Sequence, residues 1–336
     1  VAAFIGVAMA CLAAAGGYVW WASRERAAIT AGYARSEAPL VALPGAPFLL
    51  LRDASPGLSR GKLALEVPGT GSGPRLVSNL NCERLHAASG RGICLEAQRA
   101  AVTTYRAHLF DSGLVTTASF DLAGPPSRAR MSPDGTRAAT TVFVSGHNYA
   151  SPGFSTRTSI IDVTSGRLLV PDLEAFEVEK DGQPFKSSNF NFWGVTFTPD
   201  TAGFYATLGT GGRVLLVRGD IAQRKMIVVA HNVECPSLSP DATRVAFKRR
   251  VDTPRPGRVV WQIVVRELTS GKETALAHET RSVDDQVEWL DEREIAYALP
   301  DDKTPGGSDV WAILADGSAA PRLLLPMASS PAMVRR

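Results

Sequence analysis

Five histidines (His86, His108, His147, His231 and His278) and 33 acidic residues are the side chains from which this sequence could build acid–base or metal chemistry. They follow no linear catalytic pattern. The histidines are far apart, and the sequence has no HExxH helix, GxSxG elbow or Walker-type loop. The glycine-rich GTGG at 209–212 reads as a tight turn between strands, not a phosphate cradle. No catalytic residue, cofactor or metal ligand is therefore assigned. An enzyme whose acidic and histidine side chains meet only on folding stays open as the alternative, a hydrolase or lyase with its site at a channel mouth.

Binding residues are easier to nominate. Long polar loops with aromatics of their own are usually functional. Such loops occur at 145–157 (SGHNYASPGFSTR), 180–193 (KDGQPFKSSNFNFW), 249–258, 278–286 (HETRSVDDQ) and 300–308. If they share one face, that face gathers His147, Tyr149, Phe154, Phe190, Phe192, Arg281, Asp284 and Asp285. Aromatic area with a few orienting polar groups suits a protein, peptide or glycan partner. Phe192 also has a plainer reading, as the start of an inner strand packed between sheets. Trp193 and Trp289 read as core, and the two adjacent aspartates as a solvated turn rather than a cation site.

The elements that must carry these loops repeat. LSPDATRVAF at 238–247 recurs as MSPDGTRAAT at 131–140, FTPDTAGFYAT at 197–207 and LDEREIAYAL at 290–299. Each copy is an apolar residue, a turn and an alternating apolar run. Proline presets φ in the turn, while aspartate and glycine suit the later positions. The unit is a β-hairpin. A second signal, strand–turn–strand, occurs six times, at 62–78, 105–122, 158–170, 213–229, 259–276 and 309–325. Together they predict a six-bladed, all-β propeller of four-stranded antiparallel blades over residues 47–334. FLLLRDA at 48–54 lacks a preceding strand, and SSPAMV at 329–334 is expected to supply it and close the ring. A β-sandwich is the alternative fold.

The SPDG turn before an apolar strand, repeated over nearly all of 47–334, resembles the WD40-like propeller repeat of the TolB family. The resemblance implies the propeller fold and an exported location. It is to membrane-anchored bacterial propellers without the α/β domain that precedes the propeller in TolB, since residues 23–46 have room only for a stalk.

Residues 1–22 carry no charge and as a helix span roughly 33 Å, enough for a bilayer core. Trp20 and Trp21 sit at the height of an interfacial belt, with Arg24 and Arg26 following. An uncleaved anchor is the favoured reading, and a cleavable signal peptide the alternative. The two arginines alone would place the following side in the cytoplasm, whereas the cysteines argue for an exported body. Cys82 and Cys94 flank a short loop and are expected to pair across two inner strands, which needs an oxidising compartment. Cys235 reads as a buried thiol. The net charge of +3 is spread along the chain and shows no basic stripe of the kind that binds nucleic acid. The sequence thus points to a monomeric, membrane-tethered, extracytoplasmic propeller that binds a cell-envelope partner without catalysis. A purely structural envelope subunit is a further possibility.

Overall fold

In the computed structural model, residues 2–32, 36–66, 74–144, 155–251 and 259–335 are described. Six antiparallel sheets form a ring. Blade 2 runs from Arg84 to Leu122, blade 3 from Pro126 to Val170, and blade 4 from Asn191 to His231. Blade 5 spans Glu234–Ala275, and blade 6 spans Glu288–Leu325. Blade 1 combines Phe48–Asp53, Lys62–Glu66 and Arg75–Asn81 with the last strand of the chain, Ala328–Val334. That last strand is innermost and runs antiparallel to Phe48–Asp53, with Phe48 opposite Val334 and Asp53 opposite Ala328. The ring therefore closes as the sequence predicts.

The recurring turn works through its aspartate. Asp134 Oδ1 accepts from Ser132 Oγ at 2.6 Å and from the Thr136 amide at 2.9 Å. Gly135 supplies the positive φ of +70° that closes the turn. Asp200, Asp241 and Asp291 take the same part at their turns. The apolar runs on either side bury their faces between neighbouring sheets. Six core clusters result, each straddling one junction of the ring. Between blades 3 and 4, for example, Ile160 meets Phe192, Phe204 and Leu215.

The amino-terminal helix runs over Ala2–Gly32, continuing past the uncharged span into the first turns of the stalk, a segment rich in helix formers. Two features depart from the sequence reading. The stalk then docks: Glu37–Pro39 lies parallel to Arg75–Val77 on the outer edge of blade 1, and Leu40 is buried. Residues 177–185 are not a loop but a hairpin that adds to the outer edge of blade 4, with Glu177 opposite Lys225. Both additions cover strand edges that would otherwise be open.

The Cys82 and Cys94 sulfurs are bonded, with their Cα atoms 5.3 Å apart. The link is not cross-strand. Cys94 faces Leu85, and Cys82 precedes the strand, its amide bonded to Gly61 O at 2.8 Å. The disulfide fastens the blade 1–blade 2 connection to the second strand of blade 2.

Candidate functional site

Loops joining second to third strands, and blade to blade, lie on one side of the ring. The remaining turns lie on the other, here called the short-turn side. Inner strands line the central channel. Arg84 and His86, and likewise Arg128 and Arg130, are i, i+2 pairs, so each pair projects from one strand face.

Arg84, Arg128, Glu234, Lys248, Asp284 and Asp285 gather at the long-loop mouth. Lys248, only 5% exposed at its side chain, pairs with Asp284 and lies 3.5 Å from Glu234 Oε2. Its ammonium sits 4.4 Å from the centre of the Trp261 ring, and Trp261 Nε1 donates to Glu234 Oε1 at 3.2 Å. Burial disfavours the Lys248 charge, but Cys235, Asp284 and Glu234 together outweigh it and raise its pKa. Burial also works against Arg128, whose pKa Cys235, Asp285 and Asp284 nevertheless hold above its ordinary value. In Arg84 burial prevails over Asp285, and the pKa is lowered.

Below these charges Gln286 reaches the inner strands of two other blades. Gln286 Nε2 bonds Val195 O at 3.1 Å and Pro236 O at 2.9 Å, bridging blades 4 and 5. Deeper still, Arg130 pairs with Glu288 and donates to Val287 O at 3.2 Å. His86 Nδ1 accepts the Met131 amide at 3.2 Å, and its Nε2 lies 3.0 Å from Arg130 Nη1 and 3.5 Å from Glu288 Oε2. Burial, with Arg130 beside it, lowers the His86 pKa. Burial alone would raise the Glu288 carboxyl, yet Arg130 and His86 bring it down to about 2. These groups border a cavity of about 240 Å³ that opens to the short-turn side. Among the described residues no three His, Cys, Asp or Glu side chains converge as a metal site requires.

The nominated loop residues scatter. His147, Tyr149 and Phe154 lie outside the described residues. Phe192 is 1% exposed within the blade 3–blade 4 core, so it is not on a binding face. It begins an inner strand, and its carbonyl accepts from Thr156 and Thr158. Phe190 is half-buried, its ring 5.3 Å from that of Phe185. Trp193 and Trp289 are buried. Arg281 grips Glu279 through Nε at 2.8 Å and lies 3.9 Å over the Trp311 ring. Asp284 and Asp285 do reach the mouth but divide their roles. Asp284 is 56% exposed at its side chain, whereas Asp285 turns inward to accept the Gln286 and Ala298 amides. Arg84, Arg128, Glu234, Lys248 and Trp261 were not nominated. Arg84 and Glu234 open their strands, and Arg128 and Lys248 share theirs with other arginines, so no linear pattern set them apart.

The chain is a six-bladed β-propeller with a cluster of charged side chains at one mouth. No protein-family model matches its sequence, and neither does any curated protein. Among solved structures it is similar to TolB from Acinetobacter baumannii, with 15% identity and a TM-score of 0.58 over 86% of this chain and 66% of that one. It thus spans about two thirds of the length of that TolB. It is also similar to the crystal structure of a nidogen/laminin complex, with 11% identity and a TM-score of 0.52 over 86% of this chain and 98% of that one. At these identities the likeness is one of fold, and the propeller is TolB-like in fold.

Proposed function

We propose that this chain is a membrane-tethered, extracytoplasmic propeller that holds a protein, peptide or glycan partner at its long-loop mouth. One observation carries the reading. Charged side chains from blades 2, 3, 5 and 6, with Trp261 among them, gather at one mouth and offer a partner ion pairs beside an aromatic ring. The apolar helix segment Phe4–Arg24 is long enough to anchor the chain, and the Arg24 guanidinium lies 4.2 Å from the Trp20 ring at its end. The Cys82–Cys94 disulfide favours an oxidising compartment for the propeller.

A photo-crosslinking residue at position 284, in cells, tests this reading. A discrete adduct is expected there and not from the same group at Asp316, which is exposed on the short-turn side. Adducts from 316 with none from 284 would overturn the assignment.

A second reading, a hydrolase or lyase, has one observation in its favour: His86 and Glu288 stand 3.5 Å apart beside the short-turn cavity. Both His86 nitrogens are engaged within the protein, and the nearby Ser237 hydroxyl faces Arg130 at 3.4 Å rather than the imidazole. That arrangement lacks a base aimed at a nucleophile, which ranks the reading second.

A further inference from the structure

The chain joins the propeller on the short-turn side, and it does so through an uncharged strip. Residues 41–47, VALPGAP, contain no charged side chain and none that can donate or accept a hydrogen bond. Val41 is 78% exposed. Next to this segment lies the turn between the third and fourth strands of blade 2, where Val115 is 61% exposed. The Leu43 amide bonds Ser112 O at 2.7 Å and ties the two segments together. Leu43, Ala46 and Leu114 are half-buried against the same core cluster, so they hold the strip in place. The Asp111 carboxylate of that turn points inward, with Oδ1 accepting the Gly113 and Val115 amides at 2.9 and 3.0 Å, and the exposed Glu37 lies four residues before Val41 on the docked segment. Clustered, outward-facing apolar side chains of this kind mark a contact surface.

We propose that this strip seats the short-turn side of blades 1 and 2 on the membrane that holds the helix. The inference rests on the tethered reading above. The apolar span ends at Arg24 and the helix at Gly32. The docked chain resumes at Ser36, whose carbonyl accepts from the Arg75 amide at 2.9 Å. Helix rise over that interval is about 12 Å, and the short connection adds at most about 14 Å. The bilayer surface is therefore held within about 26 Å of Ser36, which lies at the short-turn end of the outer strand of blade 1. Valine, leucine and proline with no charge among them suit the interfacial region of a bilayer. A charged partner protein would find nothing there to pair with, whereas the opposite mouth carries Arg128, Lys248 and Asp284. Seated this way, the propeller turns that mouth away from the lipid.

The test uses the full chain, with Cys11→Ser, reconstituted in phosphatidylethanolamine/phosphatidylglycerol vesicles. Cys235 is buried and Cys82 and Cys94 are bonded, so a fluorophore attaches only at an introduced cysteine. Val41→Cys and Val115→Cys place it in the strip. Leu58→Cys, 96% exposed in a long-loop-side connection, is the control. Nitroxide-labelled lipids are expected to quench the 41 and 115 probes several-fold more than the 58 probe, and aqueous iodide the reverse. If alkaline washing leaves the chain in the vesicles but iodide reaches 41 and 115 as freely as 58, the seating is wrong. Probes shielded from both quenchers would assign the strip to a protein contact and overturn it equally. A chain that washes out would instead refute the tether itself.

Discussion

Arg75 and Asp53 meet inside blade 1, with Nη1 and Oδ2 3.0 Å apart and each side chain only 1% exposed. The guanidinium also donates to Met327 O at 2.7 Å and Pro326 O at 2.9 Å. Those carbonyls belong to the segment that feeds the closing strand. One arginine on the outer strand thereby ties the second strand of blade 1 to the returning end of the chain. Removing one member of a buried pair leaves the other charge unpaired, which costs about 3–5 kcal/mol. Arg75→Ala is expected to fall in that range in chemical denaturation. Arg75→Met with Asp53→Asn, which removes both charges, should be milder. Equal effects from the two variants would mean that the pair does not lock the ring.

His86 and Glu288 make stability depend on acid in two separable windows. The His86 pKa is lowered in the folded protein, so the unfolded chain takes up its proton first. Stability is then present above the ordinary histidine value of about 6.5 and falls as pH drops below it. Glu288 is held at about 2, so its contribution is present above the ordinary value of 4.5 and is lost as pH falls toward about 2. His86→Gln should flatten the decline just below about pH 6.5 and, because His86 helps Arg130 hold Glu288 down, shrink the lower one without abolishing it. Denaturation midpoints at a series of pH values, wild type against variant, decide it. An unchanged slope above pH 5 would contradict the buried neutral imidazole.

The Cys82–Cys94 link closes a short loop, with a sequence separation of 12, and its chain-entropy contribution is at most about 2–3 kcal/mol. Because it joins one blade to the next rather than two strands of one hairpin, its loss should loosen the blade 1–blade 2 junction. Reductant is expected to lower the melting temperature of the wild type and leave that of Cys82→Ala/Cys94→Ala unchanged. Hydrogen exchange should rise first over residues 82–98 and the closing strand. Uniform loss of protection around the ring would argue against a local staple.

The repeat was legible because three of its four turns state their own chemistry: Ser132 and Asp134, Thr198 and Asp200, Ser239 and Asp241 close their turns locally. Ring closure was legible from a missing partner for Phe48–Asp53. The strands Glu37–Pro39 and Gln183–Phe185 were not, since three residues are too few to show a period. The mouth was only half legible. Asp284 and Asp285 stood out as adjacent charges, but Arg128, Lys248 and Glu234 reach them from blades 3 and 5, and no linear pattern records that meeting. Phe192 misled because an aromatic at the end of a polar stretch reads as loop, while its position opposite Leu208 makes it strand and core.

The two neighbouring aspartates of the mouth separate binding from folding. Asp285 is 7% exposed and accepts the Gln286 amide at 2.9 Å and the Ala298 amide at 3.3 Å, so it holds Gln286 and blade 6 in register. Asp285→Ala should leave those amides unsatisfied and cost about 1–3 kcal/mol. Asp284 projects from the same turn toward Lys248 and Arg128 with more than half of its side chain in solvent. It pairs with the buried Lys248, which keeps Glu234 when the charge at 284 is removed, so Asp284→Asn should cost about 1 kcal/mol, less than Asp285→Ala. If the rim grips the partner, the same Asp284→Asn should weaken capture by a crosslinker placed at Arg281, half-buried in the loop beside it. High salt should weaken it too, since exposed charge pairs are screened within about 10 Å at 0.1 M. Asp285→Ala should still capture the partner under conditions where it remains folded. The reverse pattern, with capture lost at 285 in folded protein and kept at 284, would move the binding surface off the charged rim and onto Gln286.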